Sequence, residues 1–375
     1  MNDSTAAGLR PFPIGLWVPP PAHAVSIESY KDIRDAGFTF VIGFRELEHG
    51  EEAVIHALDC SLENGLTYIV SDPLVKNLDA DQAPAMEPLL SRFSSHPAYM
   101  GHLFYDEPSA DQFDRLAALA RTYDTLVPDG LAYVNLLPDY ASAKQLGTET
   151  YAEHVERFLD TFQPKILSYD YYPLRMDGSV KATYYANLWT IHKACRSRRV
   201  PFWLFIQAIT FNGTYREPNE AEIRWQVNVS LAFGAKGIQY FTYWTPEPAN
   251  GETYGEALIR KDGSKTLTYR NVQTVNREAA SIGPVLQSLE SVGLLVSGEP
   301  LAGVEEVCDS FGPVAALEGD PAIAGCFSSG GRPHSLFVVN REYTLPAESV
   351  IVFADNRRVT IRLEPGEGKL VPLSQ

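Results

Sequence analysis

Short apolar runs alternate with longer amphipathic stretches from Pro13 to Trp244. Each run is rich in aromatic and β-branched residues, and the stretch that follows has the apolar spacing of a surface helix. Regular alternation of strand and helix indicates a parallel sheet. The eight runs are Ile14–Val18, Phe38–Phe44, Thr67–Ser71, Tyr99–Tyr105, Ala132–Leu137, Ile166–Tyr171, Phe202–Ile206 and Gly237–Tyr243. Eight is the number of strands that closes a (β/α)8 barrel, so the pattern predicts an α/β fold of this kind.

Glycine and proline mark the two ends of these runs. Glycine stands just before or at the start of four runs, as expected where a helix ends, and proline follows five runs, where a strand must stop. The glycines are Gly37, Gly65, Gly130 and Gly237, and the prolines are Pro19, Pro73, Pro108, Pro138 and Pro173. The competing arrangement is a doubly wound open sheet. It would be favoured by a glycine-rich phosphate loop, which the sequence lacks.

The pattern changes after the eighth run. Thr266–Leu289 has the periodicity of a closing helix, and from Gly293 onward short alternating segments are separated by Gly, Pro and Asn turns. Such segments predict a small antiparallel β-domain. Clear examples are Ser335–Val339, Ser349–Phe353 and Val359–Leu363. We therefore expect a barrel over residues 1–290 and a sandwich-like β-domain over residues 291–375.

Composition excludes several classes of partner. The chain has 31 Lys and Arg against 47 Asp and Glu, a net charge of −16 that repels nucleic acid and anionic membranes. The histidines form no His-x-His or His-Glu-x-x-His motif, so we expect neither a metal nor another cofactor. The first residues lack the apolar core of a signal peptide, which predicts a cytoplasmic protein, or a secreted one if a signal has been removed. The oligomeric state stays open.

Polar and aromatic residues gather at the predicted carboxyl ends of the strands, where the active site of such a barrel lies. Carboxylates beside flat rings suit a sugar, since acids protonate the glycosidic oxygen and rings pack on the faces of pyranoses. A single such residue can simply cover the barrel mouth, but the bias recurs at all eight ends. The residues are Trp17, Arg45, Glu46, Asp72, Tyr105, Asp106, Glu107, Asn135, Tyr169, Asp170, Tyr171, Tyr172, Gln207 and Trp244.

The sharpest motif is Tyr105-Asp106-Glu107-Pro108 at the end of the fourth run. A carboxyl group beside a second one is expected to have a raised pKa and to act as a general acid. An Asp-Glu or Asn-Glu pair at this point resembles the acid/base motif of (β/α)8 glycoside hydrolases. The segment Glu222 to Trp244 resembles the seventh-helix and eighth-strand segment of β-galactosidase-like clan A barrels, and the C-terminal β-domain is similar to theirs. The resemblance implies glycosidic bond hydrolysis.

One position departs from that family. The clan's nucleophile is a glutamate that ends strand seven, whereas this chain has Gln207 there. One mechanism needs no glutamate on strand seven. Asp106 and Glu107 resemble the Asp-Glu pair of β-N-acetylhexosaminidases, in which the substrate's own acetamido group is the nucleophile. Tyr169, Asp170 and Trp244 resemble the corresponding residues of chitinase-like barrels. Against this, neighbours on a strand face opposite sides, so the pair can cooperate only if the strand ends or bulges between them.

The second solution makes Asp170 the partner carboxylate of Glu107. A separation of roughly 5 Å implies retention of configuration, and roughly 6.5 to 9.5 Å implies inversion. A third group of acids, Glu217, Glu220 and Glu222, is better explained as the start of helix seven, where acids interact favourably with the helix dipole.

The sequence therefore predicts a glycoside hydrolase that acts on a β-linked or N-acetylated sugar of an oligo- or polysaccharide. Glu107 would be the general acid/base, with Asp106 or Asp170 as its partner. The alternatives are a non-catalytic carbohydrate-binding barrel that has lost its nucleophile and, more remotely, a lyase or isomerase. The residues expected to hold the sugar are Trp17, Arg45, Asn135, Tyr169, Tyr172, Gln207 and Trp244.

Overall fold

The structure is a computed structural model that describes residues 11–249 and 251–373. Residues 1 and 375, the outer limits of the two predicted domains, lie outside the described residues. So do the first ten residues, to which the signal-peptide prediction refers. No helix in the described part of the chain is long and apolar enough to cross a membrane.

Eight parallel strands close into a barrel, and each of them lies within or overlaps one of the predicted runs. Neighbouring strands pair in chain order, and the ring closes where Gly15 of the first strand pairs with Gln239 of the eighth. The strands are β1 Ile14–Leu16, β2 Phe40–Ile42, β3 Thr67–Ser71, β4 Tyr99–Asp106, β5 Leu131–Leu136, β6 Leu167–Asp170, β7 Phe202–Gln207 and β8 Gly237–Phe241. The predicted (β/α)8 barrel is confirmed, and closure excludes the open sheet.

Helices fill the segments between the strands. They are α1 Ile27–Asp35, α2 Glu51–Glu63, α3 Pro73–Lys76, α4 Met86–Ser91, α5 Phe113–Leu126, α6 Ala143–Leu146, α7 Tyr151–Phe162, α8 Tyr184–Arg198, α9 Glu220–Ala232 and α10 Leu267–Ser288. Short 3₁₀ turns lie at Ala22–Ala24, Glu46–His49, Ala80–Ala85 and Ala110–Gln112. The predicted closing helix is α10.

The start of α9 explains the acids before the seventh helix. Asn219 and Glu222 form a capping box, in which each side chain accepts a hydrogen bond from the other's backbone N–H. Glu222 also pairs with Arg216, and Glu220 pairs with Arg224. Their assignment to a helix start is confirmed for Glu220 and Glu222.

The C-terminal region forms two antiparallel sheets, as predicted. A four-stranded sheet has the order β15-β12-β11-β9, and a three-stranded sheet has the order β10-β13-β14. The strands are β9 Glu290–Ser297, β10 Val314–Gly319, β11 Ala322–Ser329, β12 Arg332–Asn340, β13 Ala347–Phe353, β14 Arg358–Leu363 and β15 Gly368–Pro372. The change from helix to strand falls between Ser288 and Glu290, and the division at residue 290 into two domains stays a prediction.

The four-stranded sheet packs against the barrel through α9. Phe327, Phe337 and Val339 are fully buried in the same core as the barrel residues. Asn228 of α9 donates a hydrogen bond of 2.9 Å to the carbonyl oxygen of Gly366. Burial of large apolar side chains across this contact stabilises both parts of the molecule.

Candidate active site

A cavity of about 950 Å³ opens at the carboxyl ends of the barrel strands. Segments at the ends of all eight strands contribute to its lining. Eight of the ten predicted site residues line it, which are Trp17, Arg45, Asp106, Glu107, Asn135, Asp170, Tyr172 and Trp244. The barrel topology therefore brings together residues that are up to 227 positions apart in the sequence, from Trp17 to Trp244.

Tyr169 and Gln207, predicted to hold the sugar, are not brought to the cavity. Tyr169 is fully buried, and its ring packs at 6.4 Å from that of Phe202, because it faces the side of β6 opposite to Asp170. The buried Gln207 amide donates to the carbonyl oxygens of Leu174 and Arg216, at 2.9 and 2.7 Å. These are packing and loop-anchoring roles, so the prediction that these two residues hold the sugar is corrected.

Strand β7 therefore brings no carboxylate to the cavity. Its sequence, Phe-Trp-Leu-Phe-Ile-Gln, contains no acid, and Phe205 is the residue of this strand that lines the cavity. The departure from the clan A pattern seen in the sequence is thus a departure in the site itself.

Asp106 and Glu107 both line the cavity, although they are neighbours in the chain. Strand β4 ends at Asp106, and Glu107 has a left-handed backbone with φ of 57°. The Glu107 N–H donates to the carbonyl oxygen of Asn135 at 2.7 Å, which holds this turn against β5. Because the regular alternation stops between the two acids, their side chains can face the same space. A strained backbone of this type is common at functional sites.

Asp170 contacts Glu107 directly. Their carboxyl groups share a hydrogen bond, because Asp170 ends β6 and Glu107 directly follows β4, both at the carboxyl end of the barrel. Asn135 lies between the strands and donates to Asp106 at 3.3 Å and to Asp170 at 3.1 Å. One amide therefore bridges two of the three carboxyl groups.

A buried network fixes the orientation of that amide. The hydroxyl of Ser168 donates to Asn135 Oδ1 at 2.9 Å, so the Nδ2 group must point to the carboxyl groups. Gln239 donates to Ser168 Oγ at 2.9 Å, and Tyr133 donates to Gln239 Oε1 at 2.6 Å. The polar interior of the barrel thus supports the acid cluster from below.

Burial and mutual repulsion change the acidity of the cluster. Burial is the largest cause of a rise in the pKa of Glu107 to about 7, and the charge of Asp106 raises that pKa further, whereas the hydrogen bond with Asp170 opposes the rise. Burial also raises the pKa of Asp106, and it raises the pKa of Asp170 well above its ordinary value. Glu107 and Asp106 face the water of the cavity, but the walls remove much of the solvent around them. Near neutral pH, Glu107 is therefore partly protonated.

Aromatic side chains form much of the remaining wall. The ring of Trp17 packs edge-on against Phe44 and Phe205, each at 6.0 Å between centroids. Tyr172 and Trp244 line the cavity from the segments after β6 and β8. Rings held in this way offer apolar surfaces on which the faces of a pyranose can stack.

Several cavity residues were not predicted from the sequence, among them Lys76, Tyr140 and Glu252. Lys76 interacts with Asp106, and its charge opposes the rise in the pKa of Asp106. Tyr140 follows β5, and Glu252 lies in the long loop after β8. These residues lie in the segments that follow strands, and in a barrel of this kind every such segment contributes to the active-site face. A search of these segments as well as the strand ends could therefore have found them.

The site offers side chains for acid–base chemistry and for stacking. Within residues 11–249 and 251–373, no group of three or more His, Cys, Asp and Glu side chains is arranged to hold a metal ion. The net excess of carboxylates over cations in the lining favours neutral or cationic ligands over anionic ones.

Comparisons with known proteins support the resemblance drawn from the sequence. The sequence model of glycoside hydrolase family 42, described as β-galactosidase, matches residues 140–282 of this chain. The predicted resemblance to β-galactosidase-like barrels is confirmed over that segment. No curated protein sequence matches the chain.

Several solved structures are similar in fold. A catalytic mutant of Gan42B, a family 42 β-galactosidase from G. stearothermophilus, is 8% identical with a TM-score of 0.66, covering 96% of this chain and 98% of that one. A family 5 glycoside hydrolase from Bacteroides vulgatus is 11% identical with a TM-score of 0.57, covering 96% and 89%. The β-galactosidase of Marinomonas ef1 is 13% identical with a TM-score of 0.58, covering 75% and 62%. At these identities the likeness shows the fold.

This chain also spans 62%, 58% and 58% of three of the β-galactosidases that it matches, from Marinomonas, Halorubrum lacusprofundi and Rahnella.

Proposed function

We propose that this protein is a glycoside hydrolase in which Glu107 protonates the oxygen of the leaving group. The observation that carries the proposal is the environment of Glu107, which lies in a sugar-sized cavity among two further carboxyl groups and has a pKa of about 7. A carboxyl group that keeps its proton near neutral pH is suited to general acid catalysis. The match to the β-galactosidase family and the similar barrels of glycoside hydrolases support the same reaction class.

Two schemes describe the other carboxyl groups. In the first, Asp106 orients an acetamido group of the substrate, which attacks the anomeric carbon. In the second, Asp170 is the partner carboxylate of Glu107, either as the base for a water molecule or as the nucleophile, and no acetamido group is needed. The hydrogen bond between Asp170 and Glu107 suits an Asp170 that holds the Glu107 carboxyl group in place, and it argues against Asp170 as the base or nucleophile of the second scheme. Two carboxyl groups in direct contact are closer than the roughly 5 Å or more that separates the two catalytic acids of glycosidases.

The substrate class follows from the cavity lining. The aromatic walls at Trp17, Tyr172 and Trp244 suit pyranose rings, and the exposed Arg45 supplies hydrogen-bond donors. The Asn135 amide lines the cavity but donates to Asp106 and Asp170. The acidic lining favours neutral sugars over uronic or sulfated ones. We therefore propose a neutral oligosaccharide or polysaccharide, β-linked or N-acetylated, as the substrate.

The testing experiment is a screen of nitrophenyl glycosides and natural oligosaccharides, including galactosides and N-acetylglucosaminides, with the purified protein. Hydrolysis of at least one neutral glycoside supports the proposal. Binding of an oligosaccharide without turnover across the panel would contradict it and would favour the carbohydrate-binding barrel, the alternative suggested by the absence of a carboxylate from β7 in the cavity.

A further inference from the structure

Among the aromatic side chains that line the cavity, that of Tyr140 is the most exposed, at 41%. Tyr140 is the third residue of a turn that begins two positions after β5, in which the Ala141 N–H donates to the carbonyl oxygen of Pro138 at 3.1 Å. A ring that is left open inside a cavity offers an apolar surface to a ligand. The position of Tyr140 therefore raises the question of what covers its ring.

The ammonium group of Lys181 holds the ring of Tyr140 in place. Lys181 Nζ lies 2.9 Å from the centre of the Tyr140 ring and donates a hydrogen bond of 2.7 Å to the hydroxyl of Tyr215. It also lies 4.7 and 5.5 Å from the centres of the Tyr215 and Tyr171 rings. Burial lowers the pKa of Lys181 to about 8, and the charge of Asp139 opposes this fall, so Lys181 is mostly a cation at neutral pH. A cation over the face of a ring is attracted by the π electrons.

The contact with Lys181 leaves one face of the Tyr140 ring for the cavity. Tyr140 lines the cavity, whereas Lys181 is not among the lining residues. The ammonium group therefore covers the face of the ring that is turned away from the cavity, and the opposite face stays open. Because the ring is fixed before a ligand arrives, little conformational entropy is lost when the ligand binds to it.

The ring of Tyr140 extends an aromatic wall that starts next to the acid cluster. Tyr172 follows Asp170 by two positions, and its ring centre lies 6.0 Å from that of Tyr215. The Tyr215 ring in turn lies 6.4 Å from that of Tyr140, and all three rings line the cavity. Since a pyranose stacks on one ring at a time, three rings in a row accommodate more than one sugar unit.

Tyr140 also lies on the side of the proton donor. The Glu107 N–H donates to the carbonyl oxygen of Asn135 in β5 at 2.7 Å, and the Glu107 carboxyl group contacts Asp170 of β6. Tyr140 follows β5, the strand between β4 and β6, and its ring lies 5.5 Å from that of Tyr171, the neighbour of Asp170. A general acid protonates the oxygen that joins the leaving sugar, so this sugar must bind beside the acid.

We propose that Tyr140 is the platform on which the leaving sugar of an oligosaccharide stacks, and that Lys181 positions its ring. The inference rests on the function proposed above, with Glu107 as the proton donor. A leaving sugar stacked on Tyr140 keeps its glycosidic oxygen beside the carboxyl group of Glu107. The enzyme should therefore favour glycosides whose leaving group is a neutral pyranose over glycosides with a small leaving group.

The test compares two probes that share the same glycosyl unit. One is the disaccharide that the wild-type enzyme hydrolyses fastest, which is lactose if the enzyme is a β-galactosidase. The other is the corresponding glycosyl fluoride, which has no leaving sugar. We expect Tyr140→Ala to lower kcat/KM for the disaccharide by roughly 3- to 10-fold, the value of one aromatic contact, and to leave kcat/KM for the fluoride nearly unchanged. Tyr140→Phe is the matched control, because it keeps the ring, and it should retain most of the activity on both probes.

The role of Lys181 is tested on the same two probes. Lys181→Met removes the cation but keeps a side chain of similar length, so it should raise KM for the disaccharide with little change in kcat. Lys181→Arg keeps a cation over the ring and should restore KM. The fluoride should be insensitive to both substitutions, which separates a positioning role from a general loss of stability.

Losses of equal size on the two probes, or a Tyr140→Ala variant with the wild-type kcat/KM for the disaccharide, would overturn the assignment of Tyr140. An unchanged KM in Lys181→Met would overturn the positioning role of Lys181. The proposed function fails by a different result. An inactive wild-type enzyme, or full activity of Glu107→Gln on the disaccharide, would overturn that function and this inference with it.

Discussion

The carboxyl group of Glu107 shares a hydrogen bond with that of Asp170, and Asn135 donates to Asp170 from the other side at 3.1 Å. Since the pKa of Asp170 is raised well above its ordinary value, chiefly by burial, Asp170 is the protonated member that donates to Glu107. The contact stabilises the ionised form of Glu107 and so limits the rise in its pKa. Burial therefore raises the pKa of Glu107 most, the charge of Asp106 raises it further, and the hydrogen bond with Asp170 lowers it.

The first prediction concerns the pH dependence of the wild-type enzyme. Glu107 must be protonated to act as an acid, and burial raises its pKa to about 7, so kcat/KM should fall as the pH rises through about 7. The measurement is a profile of kcat/KM from pH 4 to 9 on a glycoside with a poor leaving group. A profile that is still rising above pH 8 would show that Glu107 does not act as an acid.

The second prediction is that two substitutions move the pH at which kcat/KM falls, the alkaline limb of the profile, in opposite directions. Asp106→Asn removes a charge that raises the pKa of Glu107, so the limb should shift to lower pH. Asp170→Ala removes the hydrogen bond that lowers this pKa, so the limb should shift to higher pH. Asp170→Asn is the matched control, because its amide can still donate to Glu107. Shifts in the same direction for Asp106→Asn and Asp170→Ala would refute this description of the cluster.

The third prediction separates the two schemes for the substrate. If no acetamido group of the substrate takes part and Asp170 only holds Glu107, glycosides without an acetamido group should be hydrolysed, and a thiazoline that mimics the cyclised intermediate should not inhibit. Competition assays with the thiazoline and paired galactoside and N-acetyl substrates provide the measurement. A strict requirement for N-acetyl sugars, thiazoline inhibition and a crippled Asp106→Asn variant would establish the acetamido-assisted scheme instead.

The fourth prediction concerns the contact between the β-domain and α9. Phe337 is fully buried in the core that it shares with the barrel, so Phe337→Ala should lower the free energy of unfolding by about 3 to 5 kcal/mol. Arg362→Ala, whose side chain is 85% exposed in the same region, should change it by less than about 0.5 kcal/mol. Urea unfolding followed by circular dichroism measures both. Equal stability of the two variants would show that the β-domain is independent of the barrel.

The barrel could be predicted from the sequence because its signals are local. Each strand is a short apolar run, and prolines such as Pro108 and Pro138 mark where the strands end. The closing helix and the later β-strands were predictable for the same reason, since helices and strands have different apolar periods.

Part of the site could not be predicted, because it depends on which way a side chain points. Tyr169 and Asp170 are neighbours, and the sequence does not say which of them faces the cavity. The left-handed turn at Glu107 lets both acids of the pair face the cavity. It could not be predicted, because the residue in this conformation is not a glycine. Glu252 was missed because loop pairing through Asn212 and Thr253 brings it to the cavity, and such pairing has no periodic signal.

Proton donation by Glu107 is tested by measuring kcat for Glu107→Gln on a natural oligosaccharide that the wild-type enzyme hydrolyses. The amide has the shape of the acid but cannot donate its proton, so kcat should fall by roughly 10²- to 10⁴-fold. Binding of the oligosaccharide, measured by calorimetry, should stay nearly unchanged. A variant that keeps more than about a third of the wild-type kcat, well outside that range, would contradict the assignment.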